Sequence, residues 1–117
     1  MFKIDSDKTI HLNRGDEANI KFSIEDYQFQ IGDKIVFSVT EKKEPANVKL
    51  QKEILINEIS DYIIITLTKD ETKIDNLESK VKTYWYEISL NDKKTVIGYD
   101  EDGPKLFLLY PESGEKI

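Results

Sequence analysis

The chain contains no cysteine, one arginine (Arg14), one histidine (His11), two alanines and three prolines. Without cysteine there are no disulfides and no thiolate metal sites, and a lone imidazole excludes any centre that needs two from one chain. A nucleophile and base pair built on histidine would have to use His11. A single arginine leaves little for bidentate readout of bases or phosphates. With a formal net charge of -6, attraction to nucleic acid or anionic lipid is disfavoured, so neither is expected as a partner. The five glycines stand alone at 15, 32, 98, 103 and 114 and build no phosphate-cradling loop. No cofactor is expected.

Long apolar runs are missing too. The opening MFKIDSDKTIHL has charges at Lys3, Asp5, Asp7 and Lys8 where a signal peptide needs a continuous apolar stretch. The longest apolar run, Leu106 to Tyr110, falls far short of the roughly 18 residues of a membrane span. The expectation is a protein not exported by a signal peptide.

What is present points to strands. Isoleucine and lysine each number 16, against the two alanines, a balance that favours sheet over helix. A length of 117 residues suits one domain, 1–117, with a single core and a polar, flexible tail over 111–117. Alternation at period two predicts strands at Thr9 to Leu12, Ala18 to Ile24, Lys34 to Thr40, Tyr62 to Leu67, Val81 to Leu90, Thr95 to Tyr99 and Lys105 to Tyr110. Val48 to Ile56 alternates less cleanly, with Lys52 interrupting, and reads as a bulged edge strand. Turns are predicted at Asn13 to Asp16, Gly32-Asp33, Asn91 to Lys93 and Asp100 to Pro104, with a polar loop over Glu41 to Asn47. The turn at Asn13 to Asp16 reverses the chain, and the strands on either side of Gly32-Asp33 are expected to pair. Thr68 with Glu71 matches a capping box, so one short helix or helical turn is predicted over Lys69 to Asn76.

About seven or eight short strands, with no long helix and no internal repeat, argue for an all-β fold, an immunoglobulin-like antiparallel β-sandwich with one short helical segment. Its aromatic strand, VKTYWYEISL, puts Tyr84, Tyr86, Ile88 and Leu90 on one side and Thr83, Trp85, Glu87 and Ser89 on the other. Tyr84 and Tyr86 either pack in the core or serve as a corner tyrosine bonded to the chain just upstream. The predicted core is Ile20, Phe22, Ile35, Phe37, Val39, Ile63, Ile65, Tyr86, Ile88 and Leu108.

Four features invite chemistry, and three have plainer readings. Arg14-Gly15-Asp16 spells an adhesion tripeptide but sits where a turn is expected. Asp100 to Asp102 cluster carboxylates, yet Pro104 and Lys105 break the spacing of a calcium loop. His11 lies on a strand with no triad order around it. Trp85 is different, because its parity opposes the core residues of its own strand. Either the Glu41 to Asn47 loop or the tail folds over it, or a partner does. Trp85, Thr83 and Glu87 are therefore the candidate protein interface; no catalytic or metal-ligating residue is expected, and the chain reads as a non-enzyme.

The segments TIHLNRGDEANIKFSI (Thr9 to Ile24), IGDKIVFSV (Ile31 to Val39), YWYEISL (Tyr84 to Leu90) and LFLLYP (Leu106 to Pro111), in that order, resemble the β-sandwich domain of tail and baseplate proteins from phages and prophages of Gram-positive bacteria. The N-terminal domain of upper baseplate proteins is one such domain. The likeness runs over nearly the whole chain and its motifs are structural. It implies a structural subunit of a phage or prophage particle, in tail, baseplate or head, that docks on other virion or tail proteins or on further copies of itself. It also implies residence in the virion or host cytoplasm. Those baseplate proteins carry a long helical or fibre-like extension after the domain, so a small free-standing particle protein is expected here rather than a connector. The alternative is a soluble accessory module that binds a protein or glycan.

Overall fold

A computed structural model describes residues 2–42, 47–75, 77, 80–92, 94–97 and 104–112, the 94–97 segment by its backbone. Among them the chain is all-β, with nine strands: β1 Phe2–Ile4, β2 Ile10–Asn13, β3 Ala18–Phe22, β4 Lys34–Thr40, β5 Val48–Leu55, β6 Ile63–Leu67, β7 Lys82–Leu90, β8 Lys94–Ile97 and β9 Lys105–Tyr110. Seven form one sheet in the order β1-β2-β9-β7-β4-β5, with β8 also on β7; β3 and β6 form a second sheet. Every pairing is antiparallel except β2 with β9, which is parallel. β4 occupies one side of β7, so β8 (on Ile88 to Leu90) and β9 (on Lys82 to Tyr86) lie end to end along the other. No helix among the described residues is long and apolar enough to cross a membrane.

The alternating strands form as their patterns dictate. β7 buries Tyr84, Tyr86, Ile88 and Leu90 and turns Thr83, Trp85, Glu87 and Ser89 outward. β4 buries Ile35, Phe37 and Val39. The two sheets share one core, in which the Phe37 ring stacks on Tyr86 at 5.5 Å between centroids and meets Phe107 edge-on at 6.4 Å. β5 is the predicted edge strand, and its register on β4 slips between Val39 and Thr40. Lys52, the interruption in its pattern, points along the inward side but reaches the Glu71 carboxylate at 2.7 Å, burying its stem and keeping its charge paired.

The structure differs from expectation in several places. The strands flanking Gly32-Asp33 do not pair with each other: β3 crosses to the second sheet and pairs with β6, and β4 pairs with β5 and β7. Alternation fixes which face of a strand is buried but carries nothing about which strand lies beside it. Leu108 is not core, because β9 turns Phe107 and Leu109 inward; in LFLLY every residue is apolar, so parity has nothing to read. The segment expected as a short helix or helical turn, Lys69 to Asn76, folds as turns over its described residues, with no helix. The capping box does form, with Thr68 N donating to Glu71 Oε1 (2.8 Å) and Glu71 N to Thr68 Oγ1 (3.2 Å), but only Thr72 N→Thr68 O and Lys73 N→Asp70 O follow. Asp75 then takes a left-handed φ of 54°, which ends the winding; Asn76 lies outside the described residues. Finally, the chain opens with β1, an exposed three-residue strand paired with β2, too short to register as alternation.

The turn at Asn91-Asp92 is a hairpin, as expected, with both residues at positive φ (55° and 58°). Of the tail, Pro111 and Glu112 are held: Asn13 Nδ2 donates to the Pro111 carbonyl (2.9 Å) and Arg14 pairs with Glu112. Tyr99, the Asp100 to Gly103 turn and 113–117 lie outside the described residues.

Candidate functional site

The outward positions of β4, β7 and β9 make one continuous face on the large sheet. From Val36, Ser38 and Thr40 through Thr83, Trp85, Glu87 and Ser89 to Leu106, Leu108 and Tyr110, the only carboxylate or amine is Glu87. That is unusual in a chain 34% charged. Lys34 shares the parity at the far end of β4 and is tied to Asp92. Trp85 sits at the centre, between Thr40 of β4 and Leu106 of β9. Its ring is half-buried and Leu106 is exposed. Thr40, directly across from it, is buried and donates to the Lys42 carbonyl at 2.7 Å, so the start of the Glu41 to Asn47 loop lies close by. Residues 43–46 and the tail beyond Glu112, either of which was expected as a cover for the ring, lie outside the described residues.

Beside Trp85 a shallow depression of about 170 Å³ is lined by Ser38, Thr40, Gln51, Glu87 and Ser89 among others. Glu87 is half-buried and has no ion pair among the described residues; burial pushes its carboxyl above the ordinary glutamate value. The face thus offers an amphipathic ring, small hydroxyl side chains and one partly desolvated acid. Thr83 and Glu87 flank Trp85 at i±2 on the same side, so all three candidate interface residues come together as strand parity requires.

Charge is concentrated instead at the rim. Asp75 collects the Tyr84 hydroxyl (2.7 Å to Oδ2), Lys82 Nζ (3.3 Å) and Lys49 Nζ (3.2 Å), while its backbone carbonyl accepts Arg14 Nε at 2.7 Å. Lys82 also reaches Glu41 at 3.0 Å. The Tyr84 hydrogen bond, ahead of the two lysines, lowers the Asp75 pKa, and burial raises that of Tyr84. Tyr84 and Tyr86 both pack in the core, and neither makes the corner bond to backbone just upstream: the Tyr84 hydroxyl bonds a side chain nine residues upstream. Tyr86 bonds backbone, the Lys8 carbonyl, but across the molecule. The sequence reading missed Asp75 because a lone aspartate after a turn has no local pattern; its partners come from three other segments, β7, β5 and the turn after β2.

The remaining candidates are structural as placed. Arg14-Gly15-Asp16 is a turn, with Arg14 locked on the Ile74 and Asp75 carbonyls and Glu112, Gly15 at φ 84°, and Gly15 N donating to Thr72 Oγ1 at 3.0 Å. A side chain at Gly15 would be strained in that left-handed backbone. His11 is satisfied at both nitrogens, by Tyr110 Oη (2.8 Å) and Asp5 Oδ2 (2.7 Å), which ties β1 and β9 to β2. Asp33 takes Asn91 Nδ2, Gln30 N and the Tyr27 hydroxyl, and these bonds hold its pKa below the ordinary aspartate value. Asp100 to Asp102 lie outside the described residues, and among the described ones no cluster of three potential metal ligands occurs. Comparison with known protein families, curated proteins and solved structures finds no match.

Proposed function

We propose that the chain is a docking subunit of a phage or prophage particle, a structural protein that works by contact, with the face around Trp85 as its contact surface. The observation that carries the reading is that face: eleven outward positions on three adjacent strands, charged only at Glu87 and at Lys34 on the far end, centred on a half-buried tryptophan. Interface cores are depleted in charge and enriched in aromatic residues, and tryptophan is prominent among hot spots. Glu87 adds direction, since a half-buried acid without an ion pair among the described residues is best matched by a partner that brings a lysine, an arginine or a backbone N–H. The ordered likeness of Thr9 to Ile24, Ile31 to Val39, Tyr84 to Leu90 and Leu106 to Pro111 to baseplate sandwich domains supplies the kind of assembly.

The strand order supports an immunoglobulin-like version of the sandwich. β4, β7 and β9 lie side by side as strands C, F and G do, β5 extends them as C′ does, and β3 pairs with β6 as B pairs with E. Tyr84, at the start of the strand equivalent to F, bonds the Asp75 side chain where a corner tyrosine bonds backbone.

Sedimentation of particles from a producing culture tests the function. The chain should co-sediment with them, and Trp85→Ser should move it to the supernatant while its fold is retained. Wild-type chain found only in the supernatant would instead favour the soluble accessory module.

A further inference from the structure

β6 has a neighbour on one side only. It pairs with β3 from Ile63↔Phe22 to Leu67↔Ala18, and among the described residues nothing pairs with its other edge. Open edges are normally blunted by charge, shortness or a bulge, and the open edges of β1, β3 and β5 show those devices. β1 is three residues long with Lys3 at its centre, β3 has Lys21, and β5 carries Lys49, Lys52 and Glu53 together with a register slip. β6, Ile-Ile-Ile-Thr-Leu, has none of them.

The ground beside this edge is apolar. A groove of about 340 Å³ is lined by Ile54, Leu55, Ile56, Tyr62, Ile63 and Ile64 with the connection between them, and no β3 residue borders it, so it lies on the unpaired side. Leu55 is 68% exposed, Tyr62 47%, Ile64 45%, and Ile59 in the same connection 57%. Leu55, Tyr62 and Ile64 line this groove together, with Lys21 of β3 over the Tyr62 ring at 4.5 Å, unlike scattered single exposures.

We infer that this edge pairs with β6 of a second copy of the chain, antiparallel about a two-fold axis at Ile65, joining the two small sheets into one of four strands. A two-fold contact is self-complementary, so each residue meets the mirror position of the other copy. About Ile65, Ile63 meets Leu67 and Ile64 meets Thr66, keeping inward residues with inward and outward with outward. Two residues beyond the strand at either end, Asp61 then lies opposite Lys69 of the second copy, twice over, and both residues are exposed. A slip of two residues would set Asp61 against Glu71. A slip the other way would set Asp61 against Leu67 and Lys69 against Ile59, so only the register about Ile65 gives both charges an opposite partner. The contact uses neither Trp85 nor its face and does not depend on the docking role proposed above.

Sedimentation equilibrium of the full chain tests it, with circular dichroism confirming that each variant is folded. Wild type should dimerise with concentration. Asp61→Lys should weaken the dimer about tenfold, because like charges across a strand pair repel, and the double variant Asp61→Lys with Lys69→Asp should restore it. Ile64→Lys, at an exposed position, should give a folded monomer, and Trp85→Ser should leave the dimer intact. A wild-type chain that stays monomeric to about 100 µM, a concentration at which even weak specific dimers are populated, would overturn the inference and leave the edge to an extended segment of another protein. A dimer indifferent to Ile64→Lys would overturn it equally.

Discussion

The Tyr84 hydroxyl donates to Asp75 Oδ2 at 2.7 Å, and this one bond fixes the chain between β6 and β7 against the middle of the large sheet. Tyr84 is fully buried, whereas Asp75 is half-exposed and takes two lysines from the solvent side. The pair therefore joins the core to the charged rim. Tyr84→Phe should keep the ring's packing and lose the bond, at a cost of about 1.5 to 3 kcal/mol, the range for hydrogen bonds to charged groups. Thermal melting of the single variant checks it. Adding Asp75→Asn to Tyr84→Phe should then cost less than Asp75→Asn does in the wild-type chain, since the two side chains share one interaction.

Core parity makes a second, sharper contrast. Phe37 lies between Tyr86 and Phe107 with no exposure, while Leu108 is on the outer face. Phe37→Ala should destabilise by about 3 to 5 kcal/mol through lost transfer energy and a residual cavity. Leu108→Ala should cost about 1 kcal/mol or less, as a partly exposed position leaves no closed cavity. Equal losses from the two in denaturant titrations would contradict the inward assignment of Phe107 and Leu109.

How far the sequence reveals this fold follows from what each signal encodes. Ile20, Phe22, Ile35, Phe37, Val39, Ile63, Ile65, Tyr86 and Ile88 are legible because a polar residue separates most of them from the next, and period two leaves only one face to bury. Leu108 is misread where that separation disappears. Partner choice is not local at all: β3 finds β6 some forty residues away, by a shared apolar face rather than by the turns that flank it. The Thr68 and Glu71 capping box is legible and forms, but a cap starts a helix without extending one, and here the chain is drawn out by Asp75 meeting Tyr84. Trp85 is legible as an outward tryptophan from parity alone. The lack of charge around it depends on β4 and β9 lying on either side of β7, which only the sheet order supplies.

Acid should act on the rim before the core. Asp75 and Asp33 both have pKa values below the usual 3.8, through hydrogen bonds from Tyr84 and from Asn91 respectively. A carboxyl with a lower pKa folded than unfolded binds fewer protons in the folded state. Its stabilisation is complete above the unfolded value and is lost as pH falls through the folded one. Melting temperature should therefore fall as pH drops below about 4, and Asp75→Asn should flatten that fall.

Glu87 has the opposite sign. Burial raises its pKa from 4.5, so the folded state holds its proton more tightly than the unfolded state does. Its contribution is favourable at low pH and is lost as pH rises through the folded value. Glu87→Gln should consequently melt slightly higher than wild type at pH 7 as an isolated chain. In an assembly that supplies a cation or donor opposite Glu87, the same variant should bind more weakly, and that crossing of stability and affinity marks a group held for a partner.

Trp85→Ser separates a contact surface from an outer layer of the fold. The ring stands on the outward side of β7, flanked by Thr83 and Glu87 and set between Thr40 and Leu106, and it is half-buried in the single chain. If its cover comes from a neighbouring molecule, the serine variant loses little in the isolated chain, with melting close to wild type. Association should then weaken by about 2 kcal/mol or more, the level of an interface hot spot. If its cover comes from this chain, the variant melts like a core truncation and assembly is untouched by the change once folding is restored at lower temperature. Measuring melting and particle association on the same preparation distinguishes the two. The proposal of a docking face stands only on a loss of association at unchanged melting temperature.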